Sequence, residues 1–146
     1  MYKNKIIVLL AAYNGENYIA QQLQTILNQT HKPHKILINI DQSSDKTESI
    51  VKEFAKTNPE IQILISNKRF GSAASNFIHL LKNTDLTEAE YTALADQDDL
   101  WKKDKLEKAI HKLGQGYDGY SSNVEAFWEG GQKKVLFKNQ PQREFD

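Results

Sequence analysis

Three carboxylates fall within four positions at Asp96-Gln97-Asp98-Asp99, directly after the apolar stretch Tyr91 to Ala95. Acids this close repel one another unless a cation or hydrogen-bond donors offset their charge. In an extended segment, residues two apart project to the same side, so Asp96 and Asp98 can converge on one ion. Carboxylate oxygens are hard ligands that suit Mg2+ or Mn2+. Mg2+ in particular is usually held by one or two carboxylates together with substrate phosphates. The chemistry expected here is therefore a metal and diphosphate site. The competing structural reading is an acidic turn that caps the next helix. Asp99 or Asp104 suits that role, but capping does not account for the whole cluster.

Three other places carry residues of ligand type. Tyr13, in Ala11-Ala12-Tyr13-Asn14-Gly15, can stack on a base or ribose. Taken alone it reads better as an aromatic plug at a helix start. Asp41, in Asp41-Gln42-Ser43-Ser44-Asp45, can accept a hydrogen bond from the edge of a base. Taken alone it fits a structural turn equally well, and Asp45 is expected as a helix N-cap. Lys68 and Arg69 precede Gly71, which permits a tight turn or a close backbone approach. A lone basic pair is usually a solvated loop, yet these two can face a phosphate.

The elements that must position these residues follow from hydrophobic periodicity. Ile6 to Leu10 is a continuous β-branched run ended by a polar turn, the pattern of a strand buried on both faces. Ile19, Leu23, Ile26 and Leu27 share a helical face. Lys35 to Ile40 reads as a second strand. Asp45 and Glu48 have capping-box spacing before Ile50, Val51, Phe54 and Ala55, and Asn58-Pro59 ends that helix. Ile61 to Ile65 reads as a third strand, and Ala74, Phe77, Ile78 and Leu81 mark a third helix. Tyr91 to Ala95 reads as a fourth strand. Leu106, Ile110 and Leu113 mark a fourth helix beginning near Asp104. Beyond Gly114, Glu129-Gly130-Gly131-Gln132 predicts a hairpin turn between a segment ending near Trp128 and Lys133 to Lys138.

Four strand–helix units in succession imply an α/β fold: three layers, with a mainly parallel sheet between helices and a short hairpin near the C-terminus. Ligands of such sheets bind beyond the carboxyl ends of the strands. All four candidate clusters fall there, and together they carry more weight than any one does singly.

Bulk composition narrows the functions further. At 146 residues the chain suffices for one compact domain. With 19 basic and 19 acidic residues there is no global attraction to nucleic acid, so an anionic ligand needs a local site. Cysteine is absent, which excludes disulfides, thiolate metal sites and a cysteine nucleophile, and fits a reducing compartment. No apolar run approaches the roughly 20 residues of a membrane span. His31, His34, His79 and His111 are scattered and read as structural or surface residues.

In this order, the pieces resemble a family 2 glycosyltransferase with the GT-A, Rossmann-like fold that binds nucleotide-diphospho-sugars. They are Val8 to Gly15, Gln22-Leu23 with Ile26 to Thr30, Asp41 with Ser43-Ser44-Asp45, and Asn67 and Gly71 with Asn76. Ala95 to Trp101 with Asp104-Lys105-Leu106 completes the set. The Asp-Gln-Asp-Asp-Leu-Trp form is similar to that of bacterial polysaccharide and rhamnosyltransferase-like members. The resemblance covers about residues 5 to 125. It implies that Ala11, Tyr13, Asp41, Asn67, Arg69, Gly71 and Asp96 line the nucleotide, with Asp41 on the uracil or thymine edge. It implies that Asp98 and Asp96 form a D-x-D motif for Mg2+ or Mn2+, Asp98 being the closest ligand. The donor implied is a UDP- or dTDP-sugar, and the acceptor a glycan or lipid-linked glycan.

The implied reaction is direct displacement with inversion at the anomeric carbon. The family's base is an acid well downstream of the D-x-D motif. Asp118, Glu125, Glu129, Glu144 and Asp146 lack its context, so the base is expected beyond residue 146. The expected organisation is a nucleotide-sugar-binding domain over residues 1–138, truncated before the acceptor-binding part, and a polar tail over 139–146. The expected location is cytoplasmic, with the longer protein peripheral to the inner membrane face. Three departures bear on base preference. Ile40 replaces the first of two acids, Gln42 a Gly or Asn, and Ala11 a Thr. Two rivals share the features least specific to transfer: a sugar-phosphate nucleotidyltransferase and a non-catalytic nucleotide-binding module. The former lacks its Gly-rich basic signature near the start. A third rival, a receiver-like domain, gathers its acids after early strands, whereas the strongest cluster here follows the fourth.

Overall fold

A computed structural model describes residues 4–64, 68–128 and 130–137. Four strands, β1 (Ile6–Ala12), β2 (Lys35–Ile40), β3 (Ile61–Leu64) and β4 (Tyr91–Asp96), form one parallel sheet in the order β3-β2-β1-β4. Helices α1 (Ile19–Leu27), α2 (Thr47–Thr57), α3 (Ala73–Asn83) and α4 (Lys105–Leu113) follow them in turn. The α/β reading of the sequence holds. Each parallel pairing requires a crossover, and the amphipathic stretches between strands supply it as helices.

β1 is buried along its whole length because it lies between β2 and β4 with helices against both faces. Its alternate residues Ile6, Val8, Leu10 and Ala12 join Ile19, Leu23 and Ile26 of α1, Val51 of α2 and Leu106 of α4 in one core. Ile7, Leu9 and Ala11 face the other way and pack with Leu37 and Leu80 of α3 in a second core. Fully burying each Ile, Leu or Val side chain among them stabilises by about 1.5–3 kcal/mol. Two cores on opposite faces of one sheet make the three layers.

Two details differ from the sequence reading. On α3 the buried side chains are Asn76 and Leu80, while Ile78 and Leu81 are 52% and 43% exposed. The helix is apolar on more than one stripe, and contact with Ile7, Leu9 and Leu37 selects the stripe of Phe77 and Leu80. At α2 the N-cap position is Lys46, with no side-chain cap. Asp45 stands one residue earlier and accepts from the Thr47 N–H at 3.0 Å and the Thr47 hydroxyl at 2.5 Å. Glu48 pairs with Lys52 rather than reaching back.

The chain divides into two compact units, residues 1–110 and 111–146. The first holds the parallel sheet. The second contains the expected hairpin, β5 (Val124–Phe127) antiparallel to β6 (Lys133–Leu136). Its turn closes with Trp128 N–H donating to Gln132 O and Gly131, at φ 78°, donating to Trp128 O. Glu129 and the expected tail over 139–146 lie outside the described residues. No helix among the described residues is long and apolar enough to cross a membrane.

Candidate functional site

The carboxyl ends of β1, β2 and β4 open on one cavity of about 290 Å³. Its walls come from Ala11, Ala12 and Tyr13 after β1, Asp41 after β2, and Asp96, Gln97 and Asp98 at the end of β4. Arg69, Gly71, Ser72, Ala73 and Asn76 complete it. Seven of the eight expected site residues therefore meet at one place. The eighth, Asn67, lies outside the described residues.

Strand order lays the site out laterally. β2 and β4 flank β1, so Asp41 and the acids of β4 stand on either side of the Tyr13 segment. Ala11 pairs with Asp96 in the β1–β4 register, and Ala12 with Ile40 in the β1–β2 register. Tyr13 is 45% exposed, so its ring remains available to a ligand.

Asp41 is 3% exposed and works hard within the protein. Its Oδ1 accepts from the N–H of Gln42 at 2.8 Å and of Phe70 at 2.9 Å, and its Oδ2 from the N–H of Gly71 at 2.9 Å. Burial pushes this carboxyl up. The N–H groups of Phe70, Gly71 and Gln42, with the Arg69 charge, outweigh burial and hold it below its ordinary value. One carboxylate thus fixes the loop that displays Arg69. Gly71 sits at φ +72°, a left-handed backbone costing an L-residue about 1–2 kcal/mol, and so brings its N–H onto Asp41.

The loop after β1 is stitched to the loop after β2. Asn14 N–H donates to Ser43 Oγ at 3.0 Å, Gly15 N–H to Thr47 Oγ1 at 2.7 Å, and Glu16 N–H to Asp45 Oδ2 at 2.9 Å. In return Ser44 N–H donates to Asn14 Oδ1 at 2.8 Å and Lys46 N–H to Glu16 Oε2 at 3.0 Å. Asp45, expected only as a cap, therefore also shapes the base of the site.

The acid loop is anchored from below. Gln22, fully buried on α1, donates from Nε2 to Asp96 O at 2.9 Å. Trp101 is 5% exposed in the first core, and its backbone N–H donates to Thr25 Oγ1 at 3.2 Å. Asp96 ends the strand, but Asp98 lies in the turn that follows it. The two acids reach one cavity because the chain turns, not because an extended strand alternates. Between them Gln97 points at Tyr13, accepting from its N–H at 2.7 Å and donating to its carbonyl at 2.7 Å.

Partial desolvation raises the Asp96 carboxyl, and the charges of Asp99 and Asp98 raise it further. All three influences act against the ionised form. Among the described residues no group of three His, Cys, Asp or Glu is placed to hold a metal ion by itself. Two hard carboxylates beside a cavity fit a mode in which substrate phosphates supply further oxygens to Mg2+ or Mn2+.

Four of the residues that build the site carried no functional signal in the sequence. Gln22, Gln97 and the pair in which Asn39 Nδ2 donates to Asn76 Oδ1 at 2.7 Å are neutral amides whose roles depend on a single buried or latched geometry. Gln22, Asn76 and Gln97 stood within the motif pieces, which was their only trace.

Comparison with known proteins places this geometry. The sequence profile of glycosyl transferase family 2 matches residues 7–143. The dTDP-rhamnosyl transferase RfbG of Shigella flexneri is 42% identical over 139 residues, covering 94% of this chain and 48% of that protein. The chain thus spans about half the length of this relative. A mannosyltransferase of Pyrobaculum calidifontis, solved in complex with GDP-Man and Mn2+, superposes with a TM-score of 0.69 at 26% identity, over 86% of this chain and 37% of that one. TarS of S. aureus (residues 1–349, in complex with UDP) shares the fold, with a TM-score of 0.62 at 19% identity over 88% of this chain and 43% of that one. From the profile match over nearly the whole chain, together with this relative, the chain belongs to glycosyl transferase family 2.

Proposed function

We propose that this chain is the donor-binding part of a glycosyltransferase, holding a nucleotide-diphospho-sugar with a divalent cation for inverting transfer. The observation that carries the proposal is the single cavity lined by Asp41, Tyr13, Arg69, Asp96 and Asp98. Laid across β2, β1 and β4, these residues suit base, ribose and diphosphate in turn. Asp41 spends part of its lone pairs on three backbone donors, and the remainder can accept the N3–H of thymine or uracil. Tyr13 stacks on the base or ribose. Arg69 and Gly71 border the diphosphate, with Arg69 supplying charge. By resemblance, Asn67 borders the nucleotide as well. Asp98 is the principal metal ligand, and Asp96 holds the ribose or the ion. When bound, the cation neutralises charge developing on the departing diphosphate.

A dTDP-deoxyhexose is the favoured donor, because the relative at 42% identity is named a dTDP-rhamnosyl transferase. The acceptor is a glycan or lipid-linked glycan, reached at the cytoplasmic membrane face. Its hydroxyl must lose a proton to a general base as the new glycosidic bond forms.

Calorimetric titration with dTDP, UDP and GDP, with and without Mn2+, tests the reading. The pyrimidine nucleotides should bind more tightly, and Mn2+ should strengthen binding. Asp98→Ala should lose the Mn2+-dependent part, about tenfold or more in Kd. Equal, metal-independent binding by wild type and Asp98→Ala would sink the site assignment.

A further inference from the structure

Gln97 stands between the two acids, yet its side chain turns to another task. The parallel ladder of β1 and β4 runs to the Ala11–Asp96 pair. Beyond it the backbones part, and the Gln97 amide takes over. It meets both the N–H and the carbonyl of Tyr13 at 2.7 Å, satisfying one residue's donor and acceptor as a neighbouring strand would. A carboxylate cannot do this, because it lacks the donor.

Gly15 provides the room. It is buried, and a Cβ there would stand 2.3 Å from Gln97 Oε1 and 2.6 Å from Cδ. Its φ lies outside the left-handed region, so the backbone does not demand glycine. The seat of the Gln97 amide demands it.

We infer that Gln97 is a positioning residue for the donor: it acts through Tyr13, holding the backbone that carries that ring in place beside the nucleotide. The inference rests on the donor-binding reading above. It predicts that base recognition and phosphate recognition separate. The latch holds Tyr13, whereas phosphate and metal address Asp96 and Asp98.

The test is calorimetry on the 146-residue chain in Mn2+, with dTDP and with inorganic pyrophosphate as probes. Gln97→Ala should weaken dTDP binding about tenfold, the scale of losing one well-placed aromatic stack. Pyrophosphate binding should be unchanged. Gly15→Ala should reproduce this pattern by crowding Gln97, without altering the acid loop's own sequence. In a Tyr13→Ala background, Gln97→Ala should cost nothing further. Parallel losses for dTDP and pyrophosphate would overturn the inference, because Gln97 would then merely shape the acid loop. Additive losses with Tyr13→Ala would overturn it too. Wild-type binding of dTDP with indifferent Gln97→Ala and Gly15→Ala would refute the latch alone. Failure of wild type to bind dTDP would refute the donor reading and the latch together.

Discussion

Asp41 holds two loops together at the wall of the candidate cavity. In the sequence it is a single acid after a strand, equally readable as turn or contact. In the fold it collects three backbone N–H groups from two loops. The sign of its pH dependence follows. Its carboxyl is held below the ordinary value of 3.8, so the stability it contributes is fully present above that value. It is lost as pH falls through the lower folded value, where the folded state must also take up the proton. Urea unfolding of wild type and Asp41→Asn should therefore differ most near neutral pH. The gap should narrow as pH drops below about 4. A gap independent of pH would show that the charge is not what the three donors recognise.

Helices and strands explain why the site holds still. α3 is tied to the ends of β1 and β2 by a buried amide pair. Asn39 Nδ2 donates to Asn76 Oδ1 at 2.7 Å, and Asn76 Nδ2 lies 3.3 Å from Asn39 O and 3.5 Å from Ala12 O. Asn76→Ala strands buried polar groups and should cost roughly 1–3 kcal/mol in urea unfolding. Leu94→Gln is the contrasting case. The sequence shows Leu94 in the middle of an apolar strand, but β4 is at the edge of the described sheet and Leu94 is 52% exposed. Its replacement should shift stability by no more than about 0.5 kcal/mol. A large loss there would mean that this face is covered in solution. The existence and order of the strands were legible because β-branched runs and helical stripes repeat over many residues. Edge position and the chosen face of α3 were not, since both depend on what packs alongside.

At the scale of the whole molecule, the cavity is a property of the assembled sheet. Asp41, Tyr13 and Asp96 come from three strands and meet only because β1 lies between β2 and β4. A ligand that binds only the folded chain must therefore stabilise it. At about a hundredfold excess over Kd, dTDP with Mn2+ should add roughly 2.7 kcal/mol, several degrees in Tm. EDTA should remove the metal-dependent share of that shift. Thermal unfolding followed by circular dichroism checks both. A Tm indifferent to nucleotide and metal would contradict binding at this site. The charge balance, 19 against 19, makes the complementary point: attraction of the ligand must be local.

Hydrophobic period and turn residues were enough for the α/β class, the order of the motif pieces carried the family resemblance, and the strand ends marked the candidate site residues. Those signals are local in the chain, and each rests on residues a few positions apart. The tertiary structure alone decided that Asp98 reaches the cavity through a turn, that Asp41 is shared between two loops, and that Gln97 seats against Gly15 to hold Tyr13. Each of these joins groups from different strand ends. Neutral amides and glycines leave no periodic or charge signature, so their work appears only once the sheet has brought them together.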